Sequence, residues 1–393
     1  MPWSLRMVMY AAILIILFLS YLGFRYFISV KRANLKPRWF WRSLFVMLAI
    51  PFLVYPFSGL FEFWSTGYFS LEEYPYFMIY LFWYGLVFTG VMLNWLILHD
   101  ILLPILSRLS KSDKSIVQKR FAKSFLVVMA LTLVYTAGKM ILDTHRITVE
   151  EITVDLPEIS GEGESFTIVH ISDLQADHFT DETKTDRYIG LINEANPDMV
   201  VFTGDLITSG LNHVQAGARA LGKINSTYGV FAVLGDHDYW AGSDAIVDAL
   251  RMEGVNILLN EDSTLVHENI PISVTGVTEI YSSQLDNQSL GTLINDYRGE
   301  GIKMVMSHQA SDRLIEFSQH SGTDLLLGGH THGGQIIIPI FFYPFTAVRE
   351  ETEFVSGHWQ LDEMFLNVNN GLGFTLSPVR YNVPAQISVI RVE

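Results

Sequence analysis

Residues 324–334 read Asp-Leu-Leu-Leu-Gly-Gly-His-Thr-His-Gly-Gly, and this stretch decides the fold. A short β-forming run, Asp324–Leu327, stops on two glycines and delivers two histidines, His330 and His332. Four earlier runs end in the same manner. Phe166–Ser172 leads into Asp173-Leu174-Gln175, Met199–Thr203 into Gly204-Asp205, Val230–Leu234 into Gly235-Asp236-His237-Asp238, and Lys303–Ser307 into His308. Amphipathic segments at 182–195, 213–224 and 243–253 separate several of them. Strand–helix alternation predicts an α/β domain. In open α/β sheets ligands bind beyond the carboxyl ends of the strands, so five run ends bring carboxylates and imidazoles to one place. Each piece alone is weak: a Gly-Asp is usually a turn, and a lone strand-terminal His is usually only hydrogen-bonded. The ordered set is not explained by chance. Hard carboxylate oxygens mixed with imidazole suit Mn²⁺, Fe or Zn²⁺. In an extended segment His330 and His332 point the same way, which lets them serve two adjacent metals, and the surrounding glycines permit close backbone approach.

Composition divides the chain. It has 393 residues, 49% hydrophobic and only 17% charged, against about 25% in an average soluble chain. Residues 1–145 hold 14 Lys+Arg and 6 Asp+Glu, whereas residues 146–393 hold 12 and 35. An apolar, basic first third followed by an acidic remainder reads as a membrane segment joined to a soluble domain. Intrinsic disorder is excluded by the apolar content. A disulfide scaffold and a zinc–thiolate site are excluded by the absence of cysteine. An acidic domain repels a polyanion, so no nucleic acid is expected as partner.

Four uncharged stretches, 7–24, 43–61, 74–99 and 124–138, are candidate spans. The fourth reaches Leu142 if Lys139 snorkels. A cleaved signal peptide is the competing reading of 7–24, but no small-residue cleavage site follows it and three more apolar stretches do. Trp39, Trp41, Tyr74 and Tyr76 lie near span ends, as interfacial belts require, and His99 and Asp100 close the third span at the interface. The first connection carries Lys31, Arg32, Lys36, Arg38 and Arg42, and the third carries Arg108, Lys111, Lys114, Lys119, Arg120 and Lys123. The second has only Glu62, Glu72 and Glu73. The positive-inside rule then puts the first and third connections in the cytoplasm and everything after residue 143 outside it. The expected organisation is a four-helix transmembrane domain at 1–145, a polar connector at 146–165 with Glu158, Glu162 and Glu164, and a catalytic domain at 166–393. From Thr352 onward the pattern suggests further, mostly antiparallel strands.

The motifs in their order, Asp173-x-Gln175, Gly204-Asp205, Gly235-Asp236-His237-Asp238, His308 and Gly329-His330-x-His332, resemble the calcineurin-like metallophosphoesterase family. The tail, with Asn370-Gly371-Leu372-Gly373, Ser377-Pro378-Val379-Arg380, Asn382 and Pro384, is similar to the closing segment of its membrane-linked bacterial branch. The resemblance covers roughly residues 165–393 and implies a four-layer α/β/β/α sandwich around two divalent ions, Mn²⁺ foremost, with Fe or Zn²⁺ as alternatives. It implies one metal held by Asp173, Asp205 and His332, with Gln175, and a second held by Asp205, Asp236, His308 and His330. Asp205 would bridge the two. A metal-bridging hydroxide would attack phosphorus, and His237 would donate a proton to the leaving group, oriented by Asp238. Two departures stand out: the family's first-motif His is Gln175, whose carbonyl oxygen is the weaker ligand, and its third-motif Asn is Asp236, which adds negative charge. His170, inside a run, reads as structural; His178 receives no role, and His213, His267, His320 and His358 read as surface residues.

The function implied is a multi-pass, membrane-anchored phosphohydrolase acting on phosphoric ester or pyrophosphate bonds. Residues 203–210 lack the Asp-Arg extension of phosphoprotein phosphatases, and the membrane tether favours lipid-linked substrates. The alternative is a non-catalytic metal-binding sensor or scaffold with a degenerate domain, in which Gln175 and Asp236 mark decay. A transporter or channel is disfavoured, since the spans carry almost no charges. Topology reporters fused after Glu73 and after Arg146 are both expected to read outside; a cytoplasmic reading at the second alone would mean that the fourth stretch does not span.

Overall fold

The computed structural model describes residues 1–69, 74–110, 112–157, 159, 165–295 and 301–393. Glu72, Glu73, Lys111, Glu158, Glu162 and Glu164 lie outside the described residues. The chain divides into two compact units: residues 1–144 with 336–346 and 376–382, and residues 145–335 with 347–375 and 383–393.

The first unit is built on α1 (Trp3–Arg32), α2 (Arg38–Ala49), α3 (Pro51–Thr66), α4 (Tyr76–Leu109) and α5 (Lys114–His145). Three of these, α1, α4 and α5, are long and apolar enough to cross a membrane. The stretch expected as one span at 43–61 is broken. Helices α2 and α3 meet at an angle of 47°, because Pro51 has no N–H to continue the ladder across the junction. The fourth stretch forms a 32-residue helix. Lys139 within it pairs with Asp143 one turn on, so its charge is met inside the helix rather than only by snorkelling. Arg25 of α1 likewise pairs with Asp100 of α4, whose neighbour His99 lies 2.6 Å from the same guanidinium.

The second unit holds two six-stranded sheets. The first sheet contains β1 (Ile147–Val154), β2 (Phe166–Ile171), β3 (Met199–Phe202), β4 (Val230–Ala232), β5 (Asn256–Ile257) and β16 (Ala385–Val392), in the order β1-β16-β2-β3-β4-β5. The second contains β6 (Glu261–His267), β7 (Ile270–Val277), β10 (Ile302–Ser307), β11 (Leu325–Gly328), β14 (Gly357–Leu361) and β15 (Met364–Val368), in the order β14-β15-β11-β10-β7-β6. Two small hairpins, β8 (Glu279–Ile280) with β9 (Ser283–Gln284) in this unit and β12 (Ile338–Ile340) with β13 (Tyr343–Phe345) in the first unit, complete the strands among the described residues. The segment expected as a connector supplies the edge strand β1, whose β-branched run Ile147–Val154 pairs in parallel with β16 along its full length. The tail is mixed rather than mostly antiparallel. Strand β15 is parallel to β11, and β16 is antiparallel to β2 but parallel to β1.

Strand alternation explains the layering. In β3, Met199 and Val201 face the core between the sheets, with Ile168 and Phe231 from the same sheet and Ile272, Met304 and Leu327 from the other. Val200 and Phe202 face the opposite way, towards α6 (Glu182–Glu194), α7 (Val214–Gly222) and α8 (Asp236–Met252). On the outer face of the second sheet, Val305 and Leu326 pack with Leu290 of α9 (Asn287–Asn295) and Leu314 of α10 (Asp312–His320). The result is the α/β/β/α sandwich, every core strand running near-continuously apolar because both its faces are covered. Phe202 is fully buried. Phe202→Ala is expected to destabilise the protein by about 3–5 kcal/mol, visible as a lowered midpoint in thermal unfolding followed by near-ultraviolet circular dichroism.

Candidate metal centre

The site grows from five strand ends that fold into an unusual backbone. Asp173, Gln175, Asp205, His330 and His332 all have positive φ, between 47° and 71°. Each such non-glycine residue costs roughly 1–3 kcal/mol and persists only where its surroundings over-determine it. Here they do. Asp173 N–H donates to Gly204 O at 2.9 Å, Gln175 N–H to Asp205 O at 3.0 Å, and His330 N–H to Asp173 Oδ2 at 3.0 Å. Gly329 is obligatory, because a Cβ there would sit 1.8 Å from Ser172 Oγ. At Gly235 a Cβ would meet Asp205 Oδ1 at 2.1 Å. His330 and His332 do not lie in an extended segment. Their left-handed backbone and the one-turn 3-10 helix His332–Gly334 break the two-residue alternation, and the two imidazoles reach different carboxylates.

Two groups of donor atoms result, Asp173–Asp205–His308 and Asp236–His308–His330, with the offered atoms of each within 4.8 Å of one another. His308 belongs to both. Its Nδ1 donates to Thr203 O at 2.8 Å, which leaves Nε2 facing Asp205 Oδ2 at 3.4 Å and His330 Nδ1 at 3.2 Å. His330 Nδ1 also lies 3.2 Å from Asp236 Oδ2, and His332 Nε2 lies 3.1 Å from Asp173 Oδ1. Gln175 Nε2 donates to Asp205 Oδ2 at 2.8 Å.

Burial and charge compete in this cluster. Burial works to raise the Asp173 carboxyl, but the charge and hydrogen bond of His332 outweigh it and hold the group below the ordinary carboxylate range. Burial works to lower His308 and His330; Asp205 carries His308 well above the usual imidazole value, and hydrogen bonds to Asp236 and Glu351 push His330 up to about 9. The polypeptide alone thus meets its buried carboxylates with imidazolium. Divalent cations fit the same need. Gln175 Oε1 and Asp236 Oδ1 are buried acceptors with no hydrogen-bond donor among the described residues, and a hard cation satisfies such oxygens.

The third motif is arranged differently from its sequence reading. Asp238 does not orient His237. Buried on the first turn of α8, it accepts from the backbone N–H of Asp205 and Leu206, both at 2.9 Å, and of Gly235 at 3.0 Å. It clamps the second motif to the third. Burial and the charge of Asp205 raise its carboxyl to about 7. His237 is oriented instead by Thr208 O, 2.5 Å from Nδ1, and by its backbone N–H on Asp205 Oδ1 at 2.9 Å. A carbonyl can only accept, so Nδ1 carries the hydrogen and Nε2 lies 4.0 Å from Asp205 Oδ2. His170 is structural, fully buried between Thr203 Oγ1 and Asn367 Nδ2, with burial lowering it to about 3.

Three neighbours escaped the sequence reading. Gln309 Nε2 donates to Asp236 Oδ2 at 3.1 Å, and Glu351 Oε1 and Tyr281 Oη lie 2.9 Å and 3.3 Å from His330 Nε2. Gln309 directly follows His308 and was open to discovery as a strand-end polar residue. Glu351 and Tyr281 sit in no motif, and only tertiary structure brings them in.

Comparison with known proteins places this geometry. The model of the calcineurin-like phosphoesterase family matches residues 166–334. An uncharacterized metallophosphoesterase of Bacillus subtilis, YkuE, is 30% identical over 263 residues, covering 64% of this chain and 87% of its own. The chain is a metallophosphoesterase. A transmembrane protein with metallophosphoesterase domain from Danio rerio is 24% identical, covering 73% of this chain and 66% of its own, and the phosphodiesterase YaeI of Escherichia coli is 23% identical, covering 58% and 82%. The family hydrolyses phosphoester bonds with divalent metals, and this metallophosphoesterase has candidate donor groups for them. Elemental analysis of the full-length protein in detergent is expected to give more than one divalent ion per chain after reconstitution. Asp205→Asn should cut that content and abolish hydrolysis, while saturation at one ion in the unaltered protein would remove a binuclear centre.

Proposed function

We propose that the protein is a multi-pass membrane phosphohydrolase with a binuclear centre, cleaving phosphoric ester or pyrophosphate bonds of lipid-linked substrates on the extracytoplasmic side. The observation that carries this reading is the pair of donor groups sharing His308, buried but for the partly exposed His330. By the family resemblance, Asp173, Asp205 and His332, with Gln175, would hold one ion, and Asp205, Asp236, His308 and His330 would hold the other, with Mn²⁺ the favoured metal; the donor groups seen here differ in placing His308 with Asp173 and Asp205 as well, with His332 beside Asp173. When bound, such ions clamp phosphoryl oxygens and lower the pKa of water, so no Ser or Cys nucleophile is needed.

The chain's own residues do the rest. Asp205 is fixed by the His237 N–H and the Gln175 amide, so its oxygens stay aimed between the two groups. His237, held at Nδ1 by Thr208, presents Nε2 towards the substrate; in its imidazolium form it would give the Nε2 proton to a departing alkoxide and return to the neutral Nδ1–H tautomer. Asp238 keeps the two motifs in register from behind. In this division of labour residues 1–145 anchor the protein and residues 166–393 carry the chemistry. The name of the Escherichia coli relative, a phosphodiesterase, supports a diester as the bond cleaved.

The test separates ligation from proton transfer. With a generic aryl phosphodiester and Mn²⁺, His237→Ala is expected to retain its metal and lose roughly 10²–10⁴-fold in turnover. Loss of metal in that variant would assign His237 to ligation. No turnover in the unaltered, metal-loaded protein on monoesters, diesters or lipid pyrophosphates would favour the sensor reading.

A further inference from the structure

The stretch that follows the last histidine of the metal loop is apolar for its whole length. Residues 335–348 contain no charged side chain, and 336–345 read Ile-Ile-Ile-Pro-Ile-Phe-Phe-Tyr-Pro-Phe. These residues form the β12–β13 hairpin, and Phe341, Phe342, Tyr343 and Phe345 on it are exposed, Phe342 completely. A soluble surface rarely gathers four adjacent exposed aromatics without a partner.

The hairpin belongs to the helical unit, and it is seated there specifically. Ile338 packs on Gly90 of α4, so closely that a Cβ at Gly90 would lie 2.7 Å from its Cδ1. One turn on, the Asn94 side chain donates to Pro339 O at 2.7 Å and accepts from Phe341 N–H at 2.6 Å. Gly90 and Asn94 both fall inside the uncharged stretch 74–99. At the hairpin's base, Ile337 N–H donates to Tyr381 O and Asn382 Nδ2 to Ile337 O, both at 2.9 Å. Within the ladder Pro339 faces Pro344, and neither has an N–H to satisfy. Non-helical backbone is tolerated at membrane depth only when its polar groups are met by protein. Asn94, the two prolines and the Tyr381–Asn382 pair meet that condition, and they also give the polar Asn94 its partner.

We propose that the hairpin at 336–346 is a lipid-embedded element whose aromatic tip contacts the acyl chains of the bilayer that the helices cross. The proposal rests on the multi-pass reading above. It commits to hydrocarbon because the hairpin packs on a membrane-length apolar helix, carries no charge, and has several of its backbone groups met by protein. Ile336 follows His332 by four residues in the sequence.

The absence of cysteine makes the test direct. Phe342→Cys places a unique thiol at a fully exposed position, where substitution disturbs no packing. A nitroxide attached there, in full-length protein in phosphatidylcholine vesicles, is expected to relax with dissolved oxygen and to lose relaxation by a water-soluble nickel chelate. It should match a label at Val134→Cys on the exposed face of α5 and differ from one at Met252→Cys at the end of α8. If the label at 342 behaves like that at 252 while 134 reports lipid, the hairpin proposal falls and the multi-pass reading stands. If 134 also reports water, the multi-pass reading falls and the hairpin proposal falls with it.

Discussion

Four buried aspartates gather at the strand ends of this fold: Asp173, Asp205, Asp236 and Asp238, none more than 2% exposed. Buried anions are tolerated only when paired or hydrogen-bonded, and much of the second unit is organised to supply those partners. Three imidazoles, those of His308, His330 and His332, sit against them. Backbone N–H groups at the ends of β3 and β4 are spent on Asp238. Glycines at 235 and 329 clear the space in which the chains approach. The left-handed residues Asp173, Gln175, Asp205, His330 and His332 serve the same end, turning donors inward after extended strands.

The division of roles among the aspartates follows from what each faces. Asp173 faces an imidazole and stays ionised. Asp238 faces peptide N–H groups and the charge of Asp205, and its proton is held up to about 7. One carboxylate is thus poised for a cation while its neighbour serves as a brace between two loops. Numbers of acidic groups do not make a metal site; the sign and geometry of what opposes them do.

The sandwich was legible from periodicity. Runs such as Met199–Thr203 end on polar residues, and their apolar continuity signals strands covered on both faces. The donor residues were legible because each terminates such a run. What sequence could not give was orientation. The reach of Asp238 back to Asp205, rather than to the adjacent His237, depends on the start of a helix at Asp236. The left-handed turn at His330 defeats the simple alternation that places it beside His332. Glu351 and Tyr281 reach His330 through folding alone. The break before Pro51 in the helical unit is marked by the proline, though 43–61 read as a single span, and the strand at 147–154 of the second unit was hidden by its Glu and Thr content and its position beside a polar segment.

The two excursions of the chain, 336–346 and 376–382, carry a consequence for biogenesis. Both belong with helices encoded some 200 residues earlier. Because synthesis is vectorial, the groove formed by Gly90 and Asn94 is made before the segment that fills it. The helical unit can therefore act as an internal template, receiving an apolar hairpin that would otherwise be a hazard for self-association during synthesis. A gene fragment beginning at residue 146 would encode the hairpin without its cradle.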